Sequence, residues 1–520
     1  MLLNHIDKII LEPSDVQNIN PNWEIIKKLD KNTASDLQLV IFDYDERMDQ
    51  THIITTNNKP QEISNFISTN YPKNKIYYTD DIGFAICINW YNIANMKQDK
   101  INGIYNYEQS VNWLEAEKLM KKHYEERNTL EEGYFVNEII RLGFMAGASD
   151  LHRQSEKQWV QIRIRKDGIL KNLFLLTHEE FTKYILKIKY ISWTKMNLDY
   201  IPQDGRFDFQ VWNGNSIKKI DVRVSVIPWL RGQSVVMRYL DGTKSIMNLE
   251  DLMLSETNME SILSNINKNY WLILVTGPTG SGKTTTLYSM INKLNNSSRK
   301  IITLEDPVEY EISWIQQSQI NPSKWYDFRD GLESILRHDP DVILVWEIRD
   351  LETAEIAINA ALTWHLVLST LHTNSSVETI SRMLNLWVKP HLLAPSLNMI
   401  IGQRLVRRLD ENKILKNIDQ ENSLTLSEYI SQNKQYVPNF DIQAPAQLYY
   451  PWWEDGYSGR FGIMECLNIN DELKKAILDW KMSLDLLSIA KKTGFVDMRQ
   501  DCIDKIINWD TTFDEYRRIL

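Results

Sequence analysis

The segment LILVTGPTGSGKTTTLYSMINKL, residues 272–294, decides the fold of this chain. An apolar run typical of a buried strand leads into a glycine-rich turn, and a run with helical spacing follows. The spacing Gly-x-x-x-x-Gly-Lys-Thr is that of a phosphate-binding loop, in which backbone N–H groups and a helix N-terminus face the phosphates. The nucleotide-binding residues that we predict are Gly277, Pro278, Thr279, Gly280, Ser281, Gly282, Lys283, Thr284 and Thr285.

Two side chains of this loop have a predicted chemical role. The ammonium group of Lys283 is expected to reach the β- and γ-phosphates, and the hydroxyl of Thr284 is expected to bind Mg²⁺. The sequence therefore predicts ATP as the ligand and Mg²⁺ as the cofactor.

Two other apolar strand runs end in acidic residues. Glu305 ends the run in IITLEDPVEY, and Glu347 ends the run in VILVWEIRD. Ligands of open parallel sheets lie beyond the carboxyl ends of the strands, so both acids are expected near the phosphates. We assign Glu347 to Mg²⁺ and to the orientation of water, and Glu305 to the activation of water. The sequence alone leaves these two roles interchangeable.

Two histidines, His365 and His372, bracket the apolar run LVLSTL. A histidine beside an apolar strand is commonly a core residue. Two histidines at the ends of one strand of the nucleotide-binding sheet favour a phosphate-sensing role, and we predict both as site residues.

Composition and charge argue against several classes of protein. The formal net charge of −10 argues against a general nucleic-acid binder, which needs clustered Lys and Arg. Three widely spaced cysteines give neither a disulfide framework nor a zinc pair, and they suit a reducing compartment. The first ten residues contain Asp7 and Lys8, which argues against a signal peptide. No apolar run approaches the ~20 residues of a membrane span. We therefore expect a cytoplasmic protein that reaches a membrane only through partners.

The chain is long enough for several domains, and its patterns change three times. Residues 1–110 read as a small α/β or α+β domain, and 111–250 read as a helix followed by alternating strands. Residues 251–400 alternate apolar strands with helices, which predicts a parallel sheet covered on both faces. Residues 401–520 read as a C-terminal helical subdomain.

The phosphate-binding loop and four further motifs resemble, in this order, the motor ATPases of type II secretion and type IV pilus assembly. The four are TLEDPVEY (303–310), LRHDPD (336–341), VILVWEIRD (342–350) and ALTWHLVLSTLHTN (361–374), and the segment ends in IIGQRLVRRL (400–409). The resemblance also takes in GASDLH (147–152) and GYSGRFGIMECL (456–467), and covers about 135–520. It implies an α/β fold: a RecA-like P-loop NTPase domain, a preceding PAS-like α+β domain and a small N-terminal domain.

The resemblance also implies a homo-hexameric ring in which arginines of the second domain reach the phosphates. Arg206 in IPQDGR and Arg223 in VRVSVIP match those positions. An arginine placed on transition-state charge can raise a phosphoryl-transfer rate ~10³–10⁵-fold. The alternative for each arginine is an ordinary salt bridge.

Chain length favours the assembly branch of the family, whose first domain is expected to dock on an inner-membrane platform protein. Two other functions stay open: a retraction or DNA-uptake motor of the same fold, and a nucleotide-binding scaffold that does not hydrolyse ATP. A conjugation-type secretion motor fits the N-terminal half less well.

The sequence departs from the family pattern at several points. Assembly motors usually carry a four-cysteine zinc site after RRL, whereas 410–456 contains no cysteine, so we expect no zinc. The acid expected after SDLH is replaced by Arg153-Gln154-Ser155, and Glu333 stands where arginine is common.

Tryptophan is the largest departure. The chain has 19 glycines and 17 tryptophans, and together they reach the about 7% that glycine alone usually supplies. We hypothesise that the source reads UGA as glycine where the printed sequence has tryptophan; the alternative is a degenerate ATPase with real tryptophans. The tryptophans at glycine-like positions are Trp159, Trp193, Trp271, Trp314, Trp325, Trp346, Trp364, Trp387, Trp480 and Trp509. We expect Trp346 and Trp364 to crowd the nucleotide site.

Overall fold

A computed structural model describes residues 9–19, 23–26, 28–45, 47–56, 66–85, 87–88, 105–106, 113–127, 134–212, 217–241, 247–321, 324–432, 447–451 and 456–520. The chain divides into two compact units, 1–243 and 244–520. Each unit is built around its own sheets.

The first sheet of unit 1 has four strands in the order β1-β4-β3-β2. Its strands are β1 (Ile9–Ile10), β2 (Leu39–Asp45), β3 (Gln50–Thr56) and β4 (Asn74–Thr79). Three short helices pack nearby: α1 (Pro13–Asn18), α2 (Trp23–Ile26) and α3 (Lys31–Leu37). The apolar side chains of β2 and β3 form a core with Ile26 and Cys87, which confirms a small α+β arrangement in this part of the chain.

The second sheet of unit 1 has seven strands in the order β5-β9-β10-β11-β6-β7-β8. Its strands are β5 (Tyr105–Asn106), β6 (Ala148–Ser155), β7 (Val160–Lys166), β8 (Ile169–Leu176), β9 (Gln203–Trp212), β10 (Ile217–Trp229) and β11 (Gly232–Leu240). The helices are α4 (Trp113–Glu126), α5 (Tyr134–Met145) and α6 (His178–Ile191). This mixture of antiparallel strands and helices is the predicted α+β domain.

Unit 2 contains the sheet predicted from the apolar runs, in the order β14-β13-β15-β16-β12-β17-β20. Its strands are β12 (Trp271–Thr276), β13 (Ile301–Glu305), β14 (Gln316–Gln319), β15 (Val342–Val345), β16 (Leu366–Leu371), β17 (Leu397–Leu409) and β20 (Tyr457–Asn468). All neighbours are parallel except β17 and β20. Along β12, Leu272 and Leu274 pack into the core on one face of the sheet, and Ile273 and Val275 into the core on the other. Burial on both faces explains the continuous apolar runs.

Helices cover both faces of this sheet. They are α7 (Glu256–Ile266), α8 (Lys283–Leu294), α9 (Phe328–Ile335), α10 (Leu351–Leu362), α11 (Ser376–Asn385), α12 (Pro390–Ser396), α13 (Gln420–Gln432), α14 (Asp471–Leu478), α15 (Ser483–Lys492), α16 (Met498–Ile507) and α17 (Phe513–Ile519). The predicted α/β class is confirmed.

The expected boundary at 400/401 is wrong. It falls inside β17, which pairs with β12 on one side and with β20 on the other. Residues 401–520 therefore supply two strands of the nucleotide-binding sheet as well as helices. The error arose because the glycine-containing β20 and the charged end of β17 do not read as continuous apolar strands.

The stretch after β17 contains a separate two-stranded sheet of β18 (Lys413–Asn417) and β19 (Gln447–Pro451). Within the described ranges, no group of three or more His, Cys, Asp or Glu side chains could hold a metal ion. The expectation of no zinc stays a prediction, since part of 410–456 lies outside the described residues. A search of the described helices found none with the length and apolarity needed to cross a membrane.

Candidate nucleotide-binding site

The glycine-rich loop joins the carboxyl end of β12 to the N-terminus of α8, as its sequence predicts. Three of its glycines have positive φ: 151° at Gly277, 79° at Gly280 and 87° at Gly282. L-residues with a side chain rarely adopt these angles, so glycine lets the loop turn its backbone inward. The N-terminus of α8 adds partial positive charge at the same place.

Strand β17 packs closely against this loop through Gln403. A Cβ on Gly277 would lie 2.4 Å from the Gln403 carbonyl oxygen, and one on Gly282 would lie 2.9 Å from its Nε2. The hydroxyl of Thr286 in α8 donates a 2.8 Å hydrogen bond to Gln403 Oε1. The buried Gln403 therefore lies directly against the loop. Gly277 and Gly282 are needed because a Cβ would clash with Gln403 as well as because their φ angles are positive.

Polar groups of the loop suit an anionic ligand. The Ser281 hydroxyl is buried without a hydrogen-bond partner among the described residues. Lys283 Nζ donates to the carbonyl oxygens of Gly277 (2.7 Å) and Pro278 (3.2 Å). Burial lowers the pKa of Lys283 to about 8, while the nearby charge of Glu347 raises it. A bound phosphate would place negative charge beside the ammonium group and so favour its charged form, which burial disfavours.

Glu347 lies two residues beyond the end of β15 and contacts two basic side chains. One carboxylate oxygen is 3.4 Å from His372 Nε2, and the other accepts a 2.8 Å hydrogen bond from Arg349 Nε. Glu347 is largely buried, and its charge acts on Lys283. The structure thus brings together Lys283, Glu347 and His372, as the sequence predicted.

The loop that carries Glu347 is fixed by neighbouring strands. The N–H of residue 346 donates to the Leu304 carbonyl at 2.9 Å, and Thr370 Oγ1 donates to the carbonyl of residue 346 at 2.6 Å. The N–H of Ile348 donates to the Thr370 carbonyl at 3.0 Å. Bonds to β13 and β16 on either side hold the backbone of Glu347 in place at the carboxyl edge of the sheet.

Glu305 lies at the end of β13 but is fully buried and engaged. Its carboxylate accepts hydrogen bonds from the Tyr288 hydroxyl, from Thr303 Oγ1 at 2.5 Å and from Gln317 Nε2 at 3.0 Å. In this conformation it is satisfied by side chains and faces α8. Of the two acids, Glu347 is the one whose charge acts on Lys283.

His365 does not join the site. It precedes β16, whereas His372 follows it, so the strand of six residues separates them by ~20 Å. The phosphate loop lies beyond the opposite, carboxyl ends of these parallel strands. His365 Nδ1 is 3.0 Å from the Ala360 carbonyl oxygen, at the end of α10. Contact between His365 and phosphates bound by the same subunit is excluded, and the expectation that Trp364 crowds the nucleotide is wrong for the same reason.

Arg206 and Arg223 lie opposite each other on β9 and β10, and Arg223 lies opposite Arg238 on β11. All three line one cleft of about 1400 Å³ in unit 1. Asp150, which is buried, accepts a 2.7 Å hydrogen bond from Arg238 Nε. Among the described residues, no acid forms an ion pair with Arg206 or Arg223. The salt-bridge alternative for these two arginines therefore has no support in this conformation.

Sequence reasoning missed several residues that shape the site. Besides Gln403, the neighbouring Arg404 donates to the Asn374 carbonyl oxygen at 3.0 Å, and its charge helps to lower the pKa of Lys283. Thr276 at the end of β12 accepts a 3.0 Å hydrogen bond from the Thr373 N–H. The motif IIGQRLVRRL was the available signal, but it did not show that β17 runs beside β12.

Mg²⁺ fits the donor set. In P-loop proteins Mg²⁺ keeps several waters and takes few protein ligands besides substrate phosphates. Thr284 lies in the first turn of α8, and its hydroxyl makes no hydrogen bond with a described residue. Thr284 and Glu347 are the residues that would hold the ion.

Comparison with known proteins agrees with the architecture. The family model described as type II/IV secretion system protein matches residues 126–518. The chain is 37% identical over 385 residues to the type IV pilus assembly ATPase PilB of Pseudomonas aeruginosa, covering 74% of this chain and 67% of that protein. It is 38% identical over 391 residues to type II secretion system protein E of Dickeya dadantii, covering 74% of each.

Solved structures agree at the level of fold. The ATPase DotB of Legionella pneumophila superposes with a TM-score of 0.53 at 21% identity, over 74% of this chain and 95% of that one. The ATPase DotB of Yersinia pseudotuberculosis gives 0.54 at 19% identity, over 75% and 94%. From the match of the family model and the two relatives, we conclude that this chain belongs to the type II/IV secretion system protein family.

Proposed function

We propose that this protein is a motor ATPase that couples ATP hydrolysis to the assembly of a type IV pilus or a type II secretion pseudopilus. The observation that carries the proposal is the grouping of Lys283, Glu347 and His372 around a glycine loop shaped for phosphates. Two relatives that support the proposal are the type IV pilus assembly ATPase PilB and type II secretion system protein E described above.

Each site residue has a defined task in this proposal. Lys283 exchanges its bonds to the loop carbonyls for the β- and γ-phosphates, and the Ser281 hydroxyl gains its missing partner. Glu347 orients the attacking water, and its hydrogen bond from Arg349 together with the nearby His372 fixes the carboxylate. Thr284 and Glu347 are the residues that would hold Mg²⁺, which would neutralise phosphate charge when bound.

Glu305 has a different task from the one first assigned. Because three side chains satisfy its carboxylate, it supports the end of β13 and the face of α8. We propose that Glu347, rather than Glu305, handles the water in the conformation described.

The assembly is proposed to be a homo-hexamer in which Arg206 and Arg223 act on the nucleotide of a neighbouring subunit. Asp204, Asp208 and Asp221 also line this cleft, but no ion pair joins a described acid to Arg206 or Arg223, so both guanidinium groups are available to an anion supplied from outside the unit. Residues 1–110 are proposed to dock on an inner-membrane platform protein, with the motor on the cytoplasmic side.

The direct test is ATP turnover by the purified full-length chain at concentrations where it assembles. Glu347→Gln should lower kcat about 10²–10⁴-fold while retaining ATP binding, because the amide cannot orient water as a carboxylate does. Lys283→Ala should lose ATP binding. Lys293→Ala is the matched control on the same helix, since Lys293 pairs with exposed Glu250 and should not change turnover. ATP binding without turnover by the natively produced, unsubstituted protein would support the scaffold alternative and overturn the motor.

The direction of work needs a cellular test. Deletion of the protein should abolish filaments or secretion if it drives assembly. Filaments that form but fail to retract would instead identify the retraction motor.

A further inference from the structure

Five helices end with the same backbone geometry, and each has tryptophan at the residue that follows the C-cap. The N–H of the next residue donates to a carbonyl five positions back, with N–O distances of 2.9–3.2 Å. This is the Schellman ending, whose post-cap residue takes the left-handed conformation and is usually glycine. The φ values are 60° at Trp193, 70° at Trp364, 67° at Trp387, 54° at Trp480 and 68° at Trp509.

A sixth helix of the same chain has glycine, the usual residue, at the corresponding position. Helix α15 ends at Lys492 with Thr493 as its C-cap, and Gly494 follows with φ of 82°. The Phe495 N–H donates to the Ala490 carbonyl at 3.2 Å, which is the same bond. Tryptophan thus occupies, in five helices, the position that glycine occupies in α15.

Positive φ at tryptophan extends beyond helix ends. Trp271 at the start of β12, Trp314 before β14 and Trp325 in the following turn have φ of 104°, 69° and 59°. Eight of the 13 non-glycine residues with positive φ in the described chain are tryptophan. A large side chain is disfavoured in this region, so tryptophan should be rare there.

Seven of these eight tryptophans are exposed, whereas Trp271 is partly buried with the Lys268 ammonium group over its ring. Trp314 is 94% exposed, Trp325 91% and Trp193 85%. By contrast, Trp113 in α4 is 7% exposed, with the Lys171 ammonium group over its ring. Tryptophan normally contributes by burying its large apolar surface, and the exposed set lacks that reason to be tryptophan.

We infer that the protein, as its source makes it, carries glycine at ten positions where the printed sequence has tryptophan, through decoding of UGA as glycine. Eight of the ten are the positive-φ residues. The other two are Trp159, whose carbonyl closes the β6–β7 turn by accepting from the Glu156 N–H at 2.8 Å, and Trp346. The inference does not depend on ATP turnover.

Glycine at 346 has a consequence for the nucleotide site. Residue 346 precedes Glu347 at the carboxyl edge of the sheet, and its N–H and carbonyl are both used by neighbouring strands. With glycine there, the backbone bonds that place Glu347 remain, and only the packing of the indole against the core of the sheet is lost. The position of Glu347 therefore does not require a tryptophan side chain at 346.

Mass spectrometry of tryptic peptides from the natively produced protein is the decisive test. The mass of peptide 338–349 should be lower than the mass calculated from the printed sequence, by the mass difference between a tryptophan and a glycine residue. Peptides covering residues 193 and 387 should show the same mass difference. The peptide containing Trp113 is the internal control and should retain tryptophan. In the gene, UGA should stand at the ten positions and UGG at Trp113. Tryptophan in the native peptides, or UGG at 364 and 387, would overturn the inference.

A stability comparison tests the same inference without the native source. In recombinant protein with the printed sequence, Trp387→Gly should raise Tm, because the left-handed position then carries glycine. Gly494→Trp is the matched reverse change and should lower Tm by a similar amount. Trp229→Gly, on a strand without positive φ, should not raise Tm. Equal or lower Tm for Trp387→Gly would contradict the geometric argument.

Discussion

At the scale of single residues, the phosphate loop depends on glycine for two separate reasons. Gly282 has φ of 87°, and a Cβ there would lie 2.9 Å from Gln403 Nε2. Gly282→Ala should therefore lower the free energy of unfolding by about 1–2 kcal/mol from φ alone and weaken ATP binding at least tenfold by shifting the loop. Thermal unfolding and ATP titration measure the two effects.

Gly459→Ala separates these causes. Gly459 has φ of 76°, but a Cβ there meets nothing within 4 Å. Its substitution should cost a similar amount of stability and leave the affinity for ATP unchanged. If both variants bind ATP like the parent, close contact with Gln403 is not important for the loop.

The protonation of Lys283 should be coupled to nucleotide binding. Burial lowers its pKa to about 8, below the ordinary 10.5, so between those values the folded state holds fewer protons than the unfolded state. The free energy of unfolding should therefore rise with pH in this window. Because phosphates favour the charged ammonium, ATP binding near pH 8.5 should take up a proton, which calorimetry in buffers of different ionisation enthalpy measures.

Lys283→Arg keeps a positive charge for the phosphates but does not titrate in this pH range, so ATP binding by this variant should proceed without proton uptake. Lys293→Met, nearly three turns further along the same helix and outside the loop, should leave the proton uptake unchanged. Equal proton uptake by the parent and by Lys283→Arg would assign the titration to another group.

At the scale of elements, a buried carboxylate ties α7, β20 and α16 together. Asp501 Oδ2 accepts from the Met464 N–H at 2.8 Å, and Oδ1 accepts from Asn258 Nδ2 at 3.3 Å. Burial raises the pKa of Asp501 to about 6, while the charge of Lys505 lowers it. Because the folded-state pKa exceeds the ordinary 3.8, the folded protein holds more protons than the unfolded chain between these values. The contribution of Asp501 to the free energy of unfolding is therefore full below pH ~4 and is lost as the pH rises through about 6.

Asp501→Asn should flatten this pH dependence, because the amide does not titrate and can still accept one hydrogen bond. Tm measured between pH 4 and pH 7 reports the slope. Asp479→Asn, on an exposed helix end, is the control and should keep the slope of the parent. A slope unchanged in Asp501→Asn would show that other groups cause it.

At the scale of the whole molecule, the proposed ring predicts that arginines act between subunits. Arg223→Ala should lower kcat by about 10³-fold or more, since an arginine on transition-state charge has that magnitude. Lys283→Ala subunits should also be inactive. Mixing the two should restore part of the activity, because a Lys283 site can then meet an Arg223 from its neighbour.

The mixing experiment has a direct control and a clear contrary result. Arg231→Ala, at the exposed turn between β10 and β11, should retain activity by itself. If mixtures of the two inactive variants stay inactive while they co-assemble, Arg223 acts within its own subunit or serves only the fold.

Much of the site could be predicted because it depends on local pattern. Lys283 and Glu347 each follow an apolar strand, and parallel strands carry them to one edge of the sheet. His365 and His372 looked equivalent in the sequence because both flank β16. Strand direction distinguishes them, since only the residue after a parallel strand faces the phosphate loop.

By itself, the sequence determined the α/β class, the phosphate loop and the family, because residue spacing encodes a strand, a turn and a helix. It also raised the question of tryptophan at glycine positions through composition. Only the tertiary structure showed that Gln403 lies under the loop, that Glu305 is already satisfied and that eight tryptophans have positive φ. These facts depend on which strands pair across the sheet and on the backbone angles at the turns. The spacing of apolar residues within one segment determines neither.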